Sequence, residues 1–142
     1  MIVGTFVAVI ALATVVFFAV SASDTFNLQC ALASPSSGSQ RYAFHIEIPK
    51  FLGKPRVVWV GINTHDLMIV RSDDTVIIVE LDQRLSGWPD KADLMQFQFH
   101  RITGDAEMYY LQKPTETDRW PAWLVLEDFS KKGTCSKSER AF

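Results

Sequence analysis

Two cysteines and one His-Asp pair are the residues whose types suggest nucleophilic chemistry in this chain. His65-Asp66 could act as a base with an orienting carboxylate, but such a pair needs a nucleophile within reach. Neither Cys30 nor Cys135 is expected to be a free thiolate, and no G-x-S-x-G elbow presents a serine. The sequence therefore predicts no catalytic residue and a protein that is not an enzyme. A hydrolase is the least favoured alternative.

Metal chemistry is also not indicated by the spacing of possible ligands. His45, His65 and His100 are too far apart in sequence to form a ligand-spaced pair, and the two cysteines have no ligand-spaced partner. Asp73-Asp74 lies between two short apolar segments, where aspartate favours a turn by bonding to its own backbone. We therefore predict no metal site and no cofactor.

The two cysteines are instead predicted to form a disulfide. An even number of cysteines in an exported chain favours pairing, and a bond between Cys30 and Cys135 would join the two ends of the folded part. Two buried thiols or an intermolecular link are the alternatives.

The N-terminal segment decides where the protein works. Residues 2–22 are almost wholly apolar and are expected to be helical, and Val20-Ser21-Ala22 permits signal-peptide cleavage. The same segment is long enough to remain as a membrane anchor. The polar residues that follow, with Asp24 among them, favour cleavage over a basic stop-transfer flank. We predict a signal peptide over residues 1–22, or alternatively a retained anchor, and a single exported domain over residues 23–142 in the periplasm or outside the cell.

Charge excludes one class of partner. The 142 residues carry a formal net charge of −2, and residues 1–23 contain no charged side chain. Nucleic-acid binding favours a basic face, which this balance does not supply. Membrane contact is expected only if residues 2–22 are retained.

The clearest structural element is a β-hairpin over residues 94–111. Apolar and polar residues alternate with the period of a half-buried strand, and Gly104-Asp105 is a turn dipeptide. A two-residue turn would pair Phe99 with Tyr110 and keep the apolar residues together. The predicted inner face comprises Phe97, Phe99, Met108 and Tyr110. The predicted outer face comprises Gln96, Gln98, His100, Glu107 and Tyr109.

Several further short strands are predicted around this hairpin. Residues 25–32, 41–48, 56–62, 67–71, 75–81 and 123–129 are apolar or alternating, and turn residues separate them. Cys30 is expected to face inward from the first of these strands, and Tyr42 is expected to share the face of Phe44 in the second. Residues 34–40 are predicted to be a mobile loop, residues 123–129 the last strand, and residues 130–134 a connection to Cys135. The pattern indicates an all-β fold, an antiparallel meander that forms a small sandwich or partly open barrel.

Aromatic residues in loops are the remaining candidates for contact with a partner. Trp88 and Trp120 stand beside prolines in two long loops, where they could cap the open end of the core or contact a ligand. Arg101 falls on the apolar face by alternation, so it is expected to reach water at the rim or to pair across the core. A hollow lined by Phe44, Phe97 and Tyr110 would indicate a ligand inside the sheet.

Three short motifs resemble those of small exported alphaproteobacterial proteins that have no assigned function. The motifs are FNLQC at residues 26–30, RITG at residues 101–104 and GTC at residues 133–135, with FHIEI at residues 44–48 as a further element. This chain lacks the additional cysteine pair of many members. The resemblance implies export, β structure and a terminal disulfide, and it implies no mechanism.

These observations favour a non-enzymatic exported module that binds a partner or has a structural role in the cell envelope. The expected partner is an envelope protein or a small apolar ligand. The alternative from another class is a membrane-tethered accessory subunit in which residues 2–22 are retained.

Overall fold

The chain folds as antiparallel β structure in a computed structural model that describes residues 23–50, 52–62, 67–119 and 122–138. These residues form nine strands and one short 3-10 helix, Glu127–Phe129. The strands are β1 (Ser23–Ser34), β2 (Ser37–Pro49), β3 (Arg56–Trp59), β4 (Met68–Ser72), β5 (Val76–Leu81), β6 (Leu94–His100), β7 (Asp105–Gln112), β8 (Leu124–Val125) and β9 (Lys131–Ser138). The predicted all-β class is confirmed, whereas the predicted N-terminal helix lies outside the described residues.

The strands form one sheet that is nearly closed into a barrel. Their order is β3-β2-β1-β9-β7-β6-β5-β4, and the two-residue β8 pairs with β7 outside this path. When β3 is brought next to β4, the order around the barrel becomes the order of the chain, which is an up-and-down meander. Of the two predicted architectures, the partly open barrel is therefore the one observed.

The meander gives the barrel two different ends. The connections β1–β2, β3–β4, β5–β6 and β7–β9 lie at one end, which we call the loop end. The connections β2–β3, β4–β5 and β6–β7 lie at the other, the turn end, where β1 also begins and β9 finishes. Two long connections begin and end at the loop end, one over residues 82–93 and one whose described parts are residues 113–119 and 122–123.

Alternation along each strand fills the barrel with apolar side chains. The rings of Phe44 and Phe97 stack in the interior with centroids 4.5 Å apart. The largest fully buried side chains are Phe44, Phe97, Leu28, Leu32, Ile46, Ile77, Leu81, Met95, Met108 and Val79. Burial of this set is the main source of stability in a domain of this size.

The central hairpin has the predicted faces but a different turn. Phe97, Phe99, Met108 and Tyr110 are all buried, as the alternation requires. Phe97 pairs with Met108 and Phe99 with Ala106, so the predicted pairing of Phe99 with Tyr110 is wrong. The connection is the four residues 101–104, closed by a 2.9 Å bond from the Gly104 amide to the His100 carbonyl. Four residues preserve the faces as two would, because both numbers are even.

One of the predicted connections is in fact largely strand. Residues 37–40 belong to β2, after a tight turn in which the Ser34 hydroxyl accepts the Ser37 amide at 3.1 Å. The prediction of a mobile loop over residues 34–40 was wrong because serines and glycine resemble a linker, although here their backbone joins the ladder.

The last strand is also not the predicted one. Residues 123–129 contain a two-residue strand and the 3-10 helix, whereas β9 follows over Lys131–Ser138. The inward positions of β9 include Gly133 and Cys135, and Lys132, Thr134 and Ser136 are exposed. This alternation carries no aliphatic residue, so it gives no hydrophobic signal of a strand.

The predicted disulfide is present between Cys30 and Cys135. The two cysteines are directly opposite each other in the β1–β9 ladder, and both are buried, as expected for an inward-facing Cys30. The bond thus joins the first and last strands of the meander where they meet.

Candidate functional site

A cleft lined by four aromatic rings opens at the loop end of the barrel. Its volume is about 440 Å³, within the usual range for small-molecule sites. Tyr42 comes from β2, Trp59 from the end of β3, Trp88 from the β5–β6 connection and Tyr110 from β7. The rest of its lining is Gln40, Ile62, Leu85, Ser86, Gly87 and Lys131.

The rings of this cleft form two groups that pack against the barrel interior. Tyr42 and Trp59 have ring centroids 5.6 Å apart, and Trp88 meets Tyr110 edge-on at 5.6 Å. Trp59 also lies 5.5 Å from Phe44, which belongs to the buried Phe44–Phe97 stack. That stack fills the interior, so Phe44 and Phe97 do not line the hollow that was considered from the sequence. Of the three residues expected to line it, Tyr110 alone borders this cleft.

A lysine at the start of β9 supplies the positive charge of the cleft. The Lys131 ammonium donates to the Tyr42 hydroxyl oxygen and to Gln40 Oε1, both at 2.6 Å. It lies 5.3 Å from the centre of the Tyr42 ring, within cation–π range. The Tyr42 hydroxyl in turn donates to Gln40 Oε1 at 2.6 Å. Lys131, Tyr42 and Gln40 thus form one hydrogen-bonded group beside the rings.

The partners of Lys131 are neutral. Burial raises the pKa of the Tyr42 phenol above its usual value, so this hydroxyl stays protonated at neutral pH. Burial likewise raises the pKa of Tyr110, although the charge of Lys131 acts in the opposite direction. Within the described residues, no ion pair links Lys131 to a carboxylate. The cleft therefore has a net positive rim on an aromatic wall.

Of the residues predicted to contact a partner, Trp88 and Arg101 lie at opposite ends of the barrel. Trp88 is 8% exposed and packs on Tyr110, so it caps the core while bordering the cleft. Trp120 lies outside the described residues. Arg101 is at the turn end, where it donates to the Asp73 carbonyl at 2.8 Å and lies 5.9 Å from the Phe26 ring. The role of each in binding stays a prediction.

The two described histidines have separate surroundings. His45 Nδ1 is 2.7 Å from Asn27 Oδ1, and His100 borders a cleft on the outer face. His65 is outside the described residues. In the part of the chain that the structure describes, no three His, Cys, Asp or Glu side chains are grouped as metal ligands.

A second polar group lies on the outer face of the barrel. The Tyr109 hydroxyl donates to Glu107 Oε2 at 2.5 Å, and Lys132 Nζ lies 3.3 Å from Glu107 Oε1. The bond from Tyr109 is the main reason why the pKa of Glu107 is lowered. Burial and the same bond raise the pKa of Tyr109 to about 12. This group links β7 to β9, and the described lining of the cleft beside it includes no Phe, Tyr or Trp side chain.

The larger cleft, of about 620 Å³, lies across β9, β1, β2 and the end of β3. Small side chains such as Ala31 and Ala43 oppose longer ones such as Gln29 and Arg41 along its lining. It has two aromatic lining residues, Tyr42 and Trp59, and both also border the loop-end cleft. The loop-end cleft is the better candidate because four rings and a cation converge there.

No pattern in the sequence indicated that Lys131, Gln40 and Trp59 belong to a site. Lys131 and Gln40 fell in segments predicted to be connections, so no inward direction could be given to them. Trp59 was in a predicted strand without clean alternation. Alternation in residues 41–48 placed Tyr42 correctly on the same face as Phe44. This was the one indication in the sequence that Tyr42 points inward.

The fold and the cleft define a nearly closed, antiparallel meander barrel with an aromatic recess at one end. No protein-family model, curated protein or solved structure matches the chain. Among the described residues, no helix is long and apolar enough for a bilayer crossing.

Proposed function

We propose that this protein is a non-enzymatic exported module that binds a small apolar ligand in the loop-end cleft. The observation that carries the proposal is the convergence of Tyr42, Trp59, Trp88 and Tyr110 around an open recess of about 440 Å³. Aromatic walls with a few placed polar groups are typical of small-molecule sites. Small barrels of eight strands commonly hold either packed side chains or one small ligand.

Export is supported by the disulfide. Disulfides persist in oxidising compartments and are rare in the cytosol, so the Cys30–Cys135 bond favours the periplasm or the cell exterior. The proposal includes cleavage of residues 1–22 as a signal peptide. The intact mass of the exported protein tests this step, because a mature chain that keeps those residues would instead indicate the tethered subunit.

Binding is tested with N-phenyl-1-naphthylamine, a neutral aromatic probe whose fluorescence rises in apolar sites. We expect saturable binding of one probe per chain, with energy transfer from tryptophan because Trp59 and Trp88 border the cleft. Ser86→Trp places a large side chain at the exposed rim and should weaken probe binding at least tenfold.

The matched control is Ser72→Trp, which adds the same side chain at the exposed turn end of β4. This variant should bind the probe as the unmodified protein does. Equal binding by all three proteins, or no saturable binding by the unmodified one, would contradict the proposed function.

A further inference from the structure

The two lysines that open β9 point in opposite directions. Lys131 is directed to the aromatic cleft, and Lys132 is directed outward to Glu107, as strand alternation requires. Only the outward lysine of this pair has a carboxylate partner among the described residues. The cation that is closer to the aromatic rings is thus the one held by neutral groups.

The neutral partners leave part of the hydrogen-bonding capacity of Lys131 unused. An ammonium group has three N–H donors, and the Tyr42 and Gln40 oxygens accept from it in the structure. Both acceptors are themselves linked, because the Tyr42 hydroxyl also donates to Gln40 Oε1. That arrangement directs the Gln40 carbonyl toward Lys131, and within the described residues no hydrogen bond from the Gln40 side-chain amide N–H groups is formed. An anion would meet donors on both side chains.

A partly buried cation beside aromatic rings attracts an anion more strongly than an exposed cation does. Water screens the charge of an exposed lysine, whereas a half-buried ammonium is screened less. Charge-assisted hydrogen bonds are about twice as strong as neutral ones. The cleft therefore offers two different attractions side by side, one for an apolar ring and one for negative charge.

We propose that the ligand of the loop-end cleft is a small aromatic or apolar molecule with a single anionic group, which Lys131 binds. This inference rests on the proposed function and specifies its ligand class. The apolar body packs on Trp59, Trp88 and Tyr110, and the anion accepts hydrogen bonds from Lys131 and Gln40.

Two matched probes separate the charge from the apolar body. 1-Anilinonaphthalene-8-sulfonate has the ring system of N-phenyl-1-naphthylamine with a sulfonate added, so their affinity ratio measures the preference for an anion. We expect the sulfonate to bind about tenfold more tightly to the unmodified protein at low salt. Lys131→Gln should abolish this preference, so that the ratio of the two affinities falls from about ten to about one.

Two further variants serve as controls. Lys132→Gln makes the same change of charge on the outer face and should keep the preference, which distinguishes contact from net charge. Lys131→Arg keeps the cation and should also keep the preference for the sulfonate. This variant tests the proposal even if Lys131→Gln unfolds more easily. Thermal unfolding of each variant confirms that the probe affinities are compared between folded proteins.

The outcomes distinguish the two proposals. If neither probe binds saturably to the unmodified protein, the proposed function fails. If the neutral probe binds in the cleft and the sulfonate gains nothing from Lys131, the proposed function stands and the inference about the anion is overturned. Equal loss of both probes in folded Lys131→Gln would likewise overturn it, because the lysine would then only shape the cleft.

Discussion

Gly133 is a residue at which the barrel leaves no room for a side chain. A Cβ atom there would lie 1.9 Å from the carbonyl oxygen of Ala31 in the neighbouring strand. Because that neighbour is backbone in the β1–β9 ladder, it cannot move aside as a flexible side chain can. We expect Gly133→Ala to lower the free energy of unfolding by about 3 kcal/mol, at the upper end of overpacking costs.

Urea unfolding measures this change, and the chain offers a matched control. Gly38 has nothing within 4 Å of an added Cβ, so Gly38→Ala should be neutral or slightly stabilising. Similar stabilities for the two variants would show that β9 can move away from β1 without cost.

Asp73 closes the β4–β5 turn through its carboxylate. Its Oδ1 atom accepts from the Thr75 hydroxyl at 2.6 Å and from the amides of Thr75 and Val76 at 2.8 and 2.9 Å. Arg71 donates to Oδ2 at 2.8 Å. These bonds hold the pKa of Asp73 well below its usual range, and the bond from the Thr75 hydroxyl has the largest effect. The prediction that Asp73-Asp74 forms a turn agrees with this geometry.

Because the pKa of Asp73 is lowered in the folded protein, its contribution to the free energy of unfolding depends on pH in the acid range. The carboxylate stabilises the fold fully above its unfolded pKa, about 3.9, and the contribution is lost as pH falls toward the lower folded value. Asp73→Asn keeps an acceptor oxygen but does not titrate, so its stability should fall less than that of the unmodified protein between pH 5 and 2. Asp74→Asn leaves the Asp73 bonds intact and should retain the acid sensitivity. Urea unfolding across this range measures the difference, and parallel curves for all three proteins would contradict it.

At the scale of elements, the β1–β9 pair closes the meander and the disulfide reinforces it. The bond links residues 105 apart in sequence. A loop of about 100 residues gives about 4.7 kcal/mol in the chain-entropy model, and measured losses on removing native disulfides are typically about 2–5 kcal/mol. We expect Cys30→Ala with Cys135→Ala to lower the free energy of unfolding within that range.

Denaturant unfolding of the oxidised protein and of the double variant measures this loss. Mass spectrometry after alkylation is the accompanying check, because the native protein should contain no thiol that reacts before reduction. Two alkylated cysteines in the native exported protein, or equal stabilities, would contradict a stabilising bond.

Elements with strong alternation could be predicted from sequence, and those without it could not. β6 and β7 carry apolar residues at every second position, so their inner face followed from the period of alternation alone. β9 places glycine and cysteine inward beside lysines, so its sequence has no hydrophobic pattern of a strand. It is recognised as a strand only by its pairing with β1 and β7. The turn of the central hairpin was misplaced because Gly104 can end a longer connection as readily as it begins a short one.

The candidate site was less predictable than the fold because it is made by closure. Tyr42, Trp88 and Lys131 are far apart in sequence, and they meet only because the strands curl into a barrel. Sequence placed Tyr42 inward and proposed Trp88 as a cap or contact. It could not bring either next to Lys131, since that requires β9 to lie near β2 across β1.

At the scale of the whole molecule, two kinds of surface are segregated to opposite ends. The loop end has the long connections and the aromatic cleft, and the turn end has short turns with Arg101 and Lys137 beside the Phe26 ring. A barrel filled in the middle by the Phe44–Phe97 stack separates these two ends. A ligand at the cleft therefore does not need to pass through the core.

The meander also determines how the molecule would be displayed on a support. β1 begins and β9 finishes at the turn end, where Asn27 is opposite Ser138, so both ends of the described domain lie on the side away from the cleft. A tag, a fusion partner or an immobilising linker joined directly before Ser23 or after Ser138 would present the aromatic recess outward. Both positions are thus favourable attachment points for a surface-based binding assay.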